Sequence, residues 1–144
     1  MKIDIENAIA AIRSDLELLR RELSSTTDVR QAQRCLLEAL RRELKFVEEG
    51  GYACLVRAPL IFEDSPICPN YQVLGHPHPC ADCVLRMLIP KQHHEDRNPC
   101  RYIPLNSHGE TLQLLYARAT DRELDCEIRE WLRRKIAELQ NAIR

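Results

Sequence analysis

All eight prolines of this 144-residue chain lie between Pro59 and Pro104. Proline lacks the N–H that helix and sheet ladders need and fixes its own backbone torsion. The chain therefore divides into a proline-free start, an interrupted centre and a proline-free end. Residues 1–50 and 120–144 are free to form long helices, whereas residues 51–119, which also hold all five histidines, must form short elements and loops. At this length one domain with a real core is expected over 1–144. An apolar fraction of 44% against 30% charged residues and a net charge of −1 separates the chain from disordered sequences.

Within residues 1–50, Ile5, Ile9, Ile12, Leu16, Leu19 and Leu23 recur at alternating spacings of four and three, the a/d seam of a heptad. Ser24 to Asp28 interrupts that pattern. Asp28 and Gln31 fit a capping box for a second helix carrying Val29, Leu36, Leu40, Leu44 and Val47, which ends at Gly50-Gly51. An N-terminal helical hairpin over 1–50 is thus predicted. At the other end, Thr120-Asp121-Arg122-Glu123 is a second capping box, followed by Leu124, Ile128, Leu132, Ile136, Leu139 and Ile143 on one face. It predicts a C-terminal amphipathic helix over 120–144, with Trp131 as a core or interface anchor. The regularity of the first seam also predicts a homodimer through helices in coiled-coil fashion, with a different protein as the other possible partner.

The centre reads as a small antiparallel sheet. Tyr52 to Val56 is a compact apolar run, and Arg101 to Leu105 and Glu110 to Tyr116 flank a glycine-containing turn, with Pro104 confined to an edge. Ala81 to Ile89 is apolar enough for a short helix closed by Pro90, which would place Cys80 and Cys83 at its N-terminus, where the dipole favours thiolate. The resulting class is α+β: helical hairpin, sheet with a metal-bound irregular segment over 51–119, and C-terminal helix.

Seven cysteines, an odd number, with no export signal in the N-terminal residues point to a reducing, cytoplasmic setting in which thiolates bind metal rather than one another. Cys35, Cys54 and Cys126 fall within apolar patterns and read as small core residues. Cys68, Cys80, Cys83 and Cys100 do not. Their pattern is C-x11-C-x2-C-x16-C, they sit in loops, and Pro69, Pro79 and Pro99 adjoin three of them, stiffening the loops before any ligand converges. Four thiolates satisfy either a tetrahedral zinc or an iron–sulfur cluster.

Structural zinc is the first reading, because a closed four-cysteine site supplies folding free energy to a segment poor in large apolar residues. His76, His78, His93 and His94 are alternative ligands if one cysteine is remote. An iron–sulfur cluster is the rival, since cluster sites accept one close pair with two isolated cysteines. In the count and order of its cysteines the arrangement resembles that of cluster-bearing bacterial redox regulators, and the resemblance goes no further. A small zinc enzyme is the third reading. Pro79-Cys80-Ala81-Asp82-Cys83 matches half of the zinc deaminase signature, but the upstream His-x-Glu half is missing and His93-His94-Glu95 falls downstream.

No glycine loop for phosphates, no Gly-x-Ser-x-Gly and no haem-attachment motif occurs. Charge is balanced within each of the three parts, so no nucleic acid is expected as partner, and the longest apolar runs are a few residues, so no membrane is either. The function expected is a non-catalytic metal-binding module, regulatory or mediating protein interaction. Glu63-Asp64 reads as a solvated turn leading into the cysteine loops.

Overall fold

The computed structural model describes residues 4–144, apart from the side chains of residues 24–27 and 54. Three α-helices make up the regular structure: α1 (Ile5–Glu48), α2 (Leu112–Arg118) and α3 (Asp121–Ile143). Between α1 and α2 the chain runs through five short 3-10 turns, Gly51–Cys54, Cys80–Asp82, Val84–Leu88, Lys91–His93 and Pro99–Tyr102.

The expected hairpin is one helix. α1 continues through Ser24–Asp28 for 44 residues, about 66 Å at 1.5 Å per residue. No proline or glycine lies between Asp4 and Glu49, and serine and threonine cost a helix only tenths of a kcal/mol each. A break would open two new ends, four C=O on one side and four N–H on the other, and Asp28 could cap only one of the four donors. α1 starts at Asp4, whose side chain accepts from the Asn7 N–H, and ends at Gly50, whose φ of +76° suits glycine. Gly51 follows because the Phe46 ring lies 2.3 Å from where a Cβ would stand.

The expected sheet is absent. Among the described residues there is no strand, and pairing is limited to a single antiparallel bridge between Pro104 and Thr111. The turn between them is present: Asn106 Oδ1 accepts from the N–H groups of His108 and Glu110, and the Leu105 N–H donates to the Glu110 carbonyl at 2.8 Å. Extension fails on both sides of it. Pro99 and Pro104 leave Pro99–Tyr102 in a 3-10 turn, and Thr111 accepts from the Leu114 N–H, starting α2 instead of a strand. Leu112 and Leu115, three apart, are the positions α2 buries.

The core joins α1, α3 and the centre. Leu36, Leu40 and Val47 of α1, Leu124, Ile128, Trp131, Leu132 and Leu139 of α3, and Ile61, Phe62, Leu85, Ile89, Ile103 and Leu105 of the intervening loops are buried. Trp131 packs against Phe62 with centroids 5.7 Å apart, which bears out its reading as a core anchor. The α3 capping box at Thr120 and Glu123 is formed as expected. Arg129 donates to the Val47 carbonyl at 3.3 Å and Arg133 pairs with Glu48, so α3 supplies cations at the C-terminus of α1.

Among the described residues two polar side chains, Glu43 and Ser65, are fully buried. Glu43 accepts from the Tyr52 and Ser65 hydroxyls, tying α1 to the loop that precedes Cys68. Burial pushes the Glu43 carboxyl above its ordinary value, against the opposing effect of the Ser65 and Tyr52 hydroxyls. The folded chain thus binds this proton more tightly than the unfolded chain. The associated stability is complete below the unfolded carboxyl pKa and is lost as pH rises through the higher folded value.

Two predictions follow from this packing. In urea denaturation, Glu43→Gln should gain stability relative to wild type as pH rises from about 4 to about 8. A gap independent of pH would contradict the buried proton. Leu132→Ala, emptying a fully buried α3 position, should cost about 3 kcal/mol in the same assay. A cost under ~1 kcal/mol would contradict a close-packed helix interface.

Candidate metal centre

The segment carrying the cysteines is held by side chains. The backbone N–H groups of Leu60, Ile61 and Phe62 donate to Asp64 Oδ2, the Tyr116 hydroxyl and the Tyr52 hydroxyl at 2.6, 2.7 and 2.8 Å. Burial raises the Asp64 carboxyl, but the two-point ion pair with Arg57 and the Leu60 N–H outweigh it and leave it below its ordinary value. Glu63 forms a second two-point pair, to Arg101 at 2.9 and 3.0 Å. The Glu63-Asp64 pair is therefore a fastened corner rather than a solvated turn.

Cys68, Cys80, Cys83 and Cys100 line one cavity of about 30 Å³, with His76 and Glu63 also in its wall. The remaining lining is mostly apolar, including Phe62, Leu85, Ile89, Pro69, Pro79 and Pro99. His78, His93 and His94 are not part of that lining. His93 stacks on Tyr102 at 4.1 Å with Nδ1 2.6 Å from Asp96, and His94 Nε2 is 2.8 Å from the Ile89 carbonyl. Among the four alternative histidines His76 alone faces the cavity, with Nε2 3.5 Å from Cys80 Sγ.

Asn70 closes the loop between Cys68 and Cys80. Its Oδ1 accepts from the His78 N–H at 2.8 Å and its Nδ2 donates to the His78 carbonyl at 2.9 Å. Three cavity-lining residues other than glycine, Phe62, His76 and Asn98, have φ of 70°, 50° and 54°. Each costs on the order of 1–2 kcal/mol for an L-residue, with least for asparagine. The surrounding contacts hold this strain at the cavity. Neither Asn70 nor the strained positions was legible as functional in the sequence; the Asn70-x7-His78 pairing has no motif.

Burial raises all four thiols, Cys100 the furthest; the charge of Glu63 adds to this at Cys68, Cys80 and Cys100, and neighbouring cysteines add to it at Cys80, Cys83 and Cys100. Backbone N–H groups act in the other direction: those of Asn70 and Tyr71 at Cys68, and that of Leu85 at Cys83, favour the thiolates. This corrects the expected helix-dipole effect at the cysteine pair. Cys80–Asp82 and Val84–Leu88 are separate 3-10 turns of three and five residues, too short to carry a useful dipole. Cys35 and Cys126, expected in the core, are exposed on α1 and α3, and the Cys54 side chain lies outside the described residues.

The donor set fits a group that replaces the thiol protons. Four sulfurs in apolar surroundings, two of them already receiving backbone N–H groups, suit thiolate bound to a cation. Among the described residues, however, no three His, Cys, Asp or Glu side chains are gathered tightly enough to hold one metal ion as they stand. No known protein family, curated protein or solved structure matches the chain.

Thiol accessibility gives a direct check. In alkylation of the reduced, metal-free native chain followed by peptide mapping, exposed Cys35 should react first and Cys100 last. Reaction of Cys100 as fast as Cys35 would contradict the enclosed cavity.

Proposed function

We propose that this chain is a non-catalytic, cytoplasmic regulatory module built around an iron–sulfur cluster held by Cys68, Cys80, Cys83 and Cys100. The support for the reading is that the four cysteines line one mostly apolar cavity and that backbone N–H groups favour the thiolates of Cys68 and Cys83. Four thiolates in such a site would hold either a zinc ion or a cluster, and a cluster site accepts one close pair with two isolated cysteines, as Cys80 and Cys83 stand to Cys68 and Cys100. The apolar lining and the N–H groups of Asn70, Tyr71 and Leu85 supply the low polarity and sulfur hydrogen bonds that tune such a centre. Arg101 offsets the charge of Glu63 in the cavity wall.

When bound, the cluster supplies one-electron redox chemistry and sensitivity to oxygen or nitric oxide. What the protein adds is coupling. The ligands come from three loops, so loss of the cluster removes the links between 68, 80–83 and 100 and frees the segment that packs on Trp131 through Phe62. No helix among the described residues is long and apolar enough to cross a membrane. The output proposed is a change in the surface that this segment presents to a partner.

Anaerobic purification followed by iron, zinc and acid-labile sulfide analysis tests the reading. Brown protein with iron and sulfide is expected, and Ser at any of the four positions should abolish or destabilise it, whereas Cys35→Ser and Cys126→Ser should not. Colourless protein with one zinc per chain would replace the cluster by the structural-zinc reading. A metal-free chain with full stability would overturn both.

A further inference from the structure

The seam on the N-terminal half of α1 is uncovered. Ile5, Ile9, Ile12, Leu16, Leu19 and Leu23 are each between 45% and 68% exposed, while Leu36, Leu40 and Val47 further along the same helix are buried in the core shared with α3. We propose that this face is the interface of a parallel, in-register two-stranded coiled coil with a second copy of the same chain. The inference does not depend on the cofactor, since none of these residues lines the cavity.

Two features select a second copy and its direction. The apolar residues keep a strict 3.5-residue period over nearly three heptads, the pattern of a supercoiled seam rather than the wider stripe of a helix lying on a globular core. With Ile9, Leu16 and Leu23 at a and Ile5, Ile12 and Leu19 at d, the flanking e positions are Glu6, Arg13 and Arg20, and the g positions are Ala8, Asp15 and Glu22. In a parallel pair each g residue meets the e residue five positions on in the other copy. Asp15 then faces Arg20 of the second copy twice by symmetry, Ala8 faces Arg13, and no like charges meet. An antiparallel pair centred on the seam sets Glu6 against Arg20 twice, but it also places Arg13 against Arg13 and Asp15 against Asp15, whereas the parallel pair has two attractions and no like-charge contact. Charge complementarity thus favours the parallel arrangement.

Sedimentation equilibrium of the full chain tests the proposal, with Trp131 fluorescence as a check on the core. Wild type should be a dimer, and Ile12→Glu with Leu16→Glu should give a monomer with unchanged Trp131 emission. Asp15→Arg and Arg20→Asp should each weaken self-association roughly ten-fold, by turning two attractions into two repulsions. The double variant should recover wild-type affinity, and an equimolar mixture of the single variants should associate more tightly than either alone. A wild-type monomer at micromolar concentration overturns the interface. A dimer in which the double variant is no better than Arg20→Asp overturns the parallel register, because an antiparallel pair sets Asp at 20 against Glu6.

Discussion

The backbone of the proline-bearing centre has to find hydrogen-bond partners without a ladder, and the rest of the structure depends on how it does so. A buried N–H left unpaired costs about 1–3 kcal/mol, so three in a row cannot be left open. Asp64, Tyr116 and Tyr52 receive the N–H groups of Leu60, Ile61 and Phe62. Tyr116 belongs to α2 and Tyr52 follows α1, so the same three bonds that satisfy the loop also fix its place between helices. Tyr52 in turn donates to the buried Glu43, which also accepts from the Ser65 hydroxyl. The chain of contacts ends three residues before Cys68.

This explains how a segment without strands can position a site. Each cysteine sits in or beside a short turn whose ends are tied by side chains: Cys68 after Ser65, Cys80 below the Asn70 clamp on His78, Cys100 beside the Arg101–Glu63 pair. Such a frame is rigid where the ties are made and strained where φ is positive, at Phe62, Gln72, His76 and Asn98. Three of these four line the cavity, as expected where geometry serves a ligand rather than packing.

The sequence made the helical parts legible to different degrees. The α3 cap and stripe were readable because capping box and 3.6-residue period agree, and the described structure has both. The break expected at Ser24–Asp28 was not made, because local capping preference is weaker than the cost of ending a helix in the absence of proline or glycine. The sheet was misread for a related reason: alternating apolar residues in 110–116 fit either period, and Thr111 as a cap decided for helix. At the site, the grouping of four cysteines on one cavity was foreseeable from spacing and prolines. The exclusion of His78, His93 and His94 was not, since it turns on tertiary partners such as Tyr102, Asp96 and the Ile89 carbonyl.

Cys68, Cys80, Cys83 and Cys100 share one cavity, and the local environment of whatever metal they hold distinguishes the possibilities. X-ray absorption on anaerobically purified protein is the most direct measurement. The cluster reading predicts an iron edge with a sulfur shell and a second, iron–iron scattering shell that Cys100→Ser weakens or removes. A zinc edge with a single shell of sulfur at ~2.3 Å would contradict it.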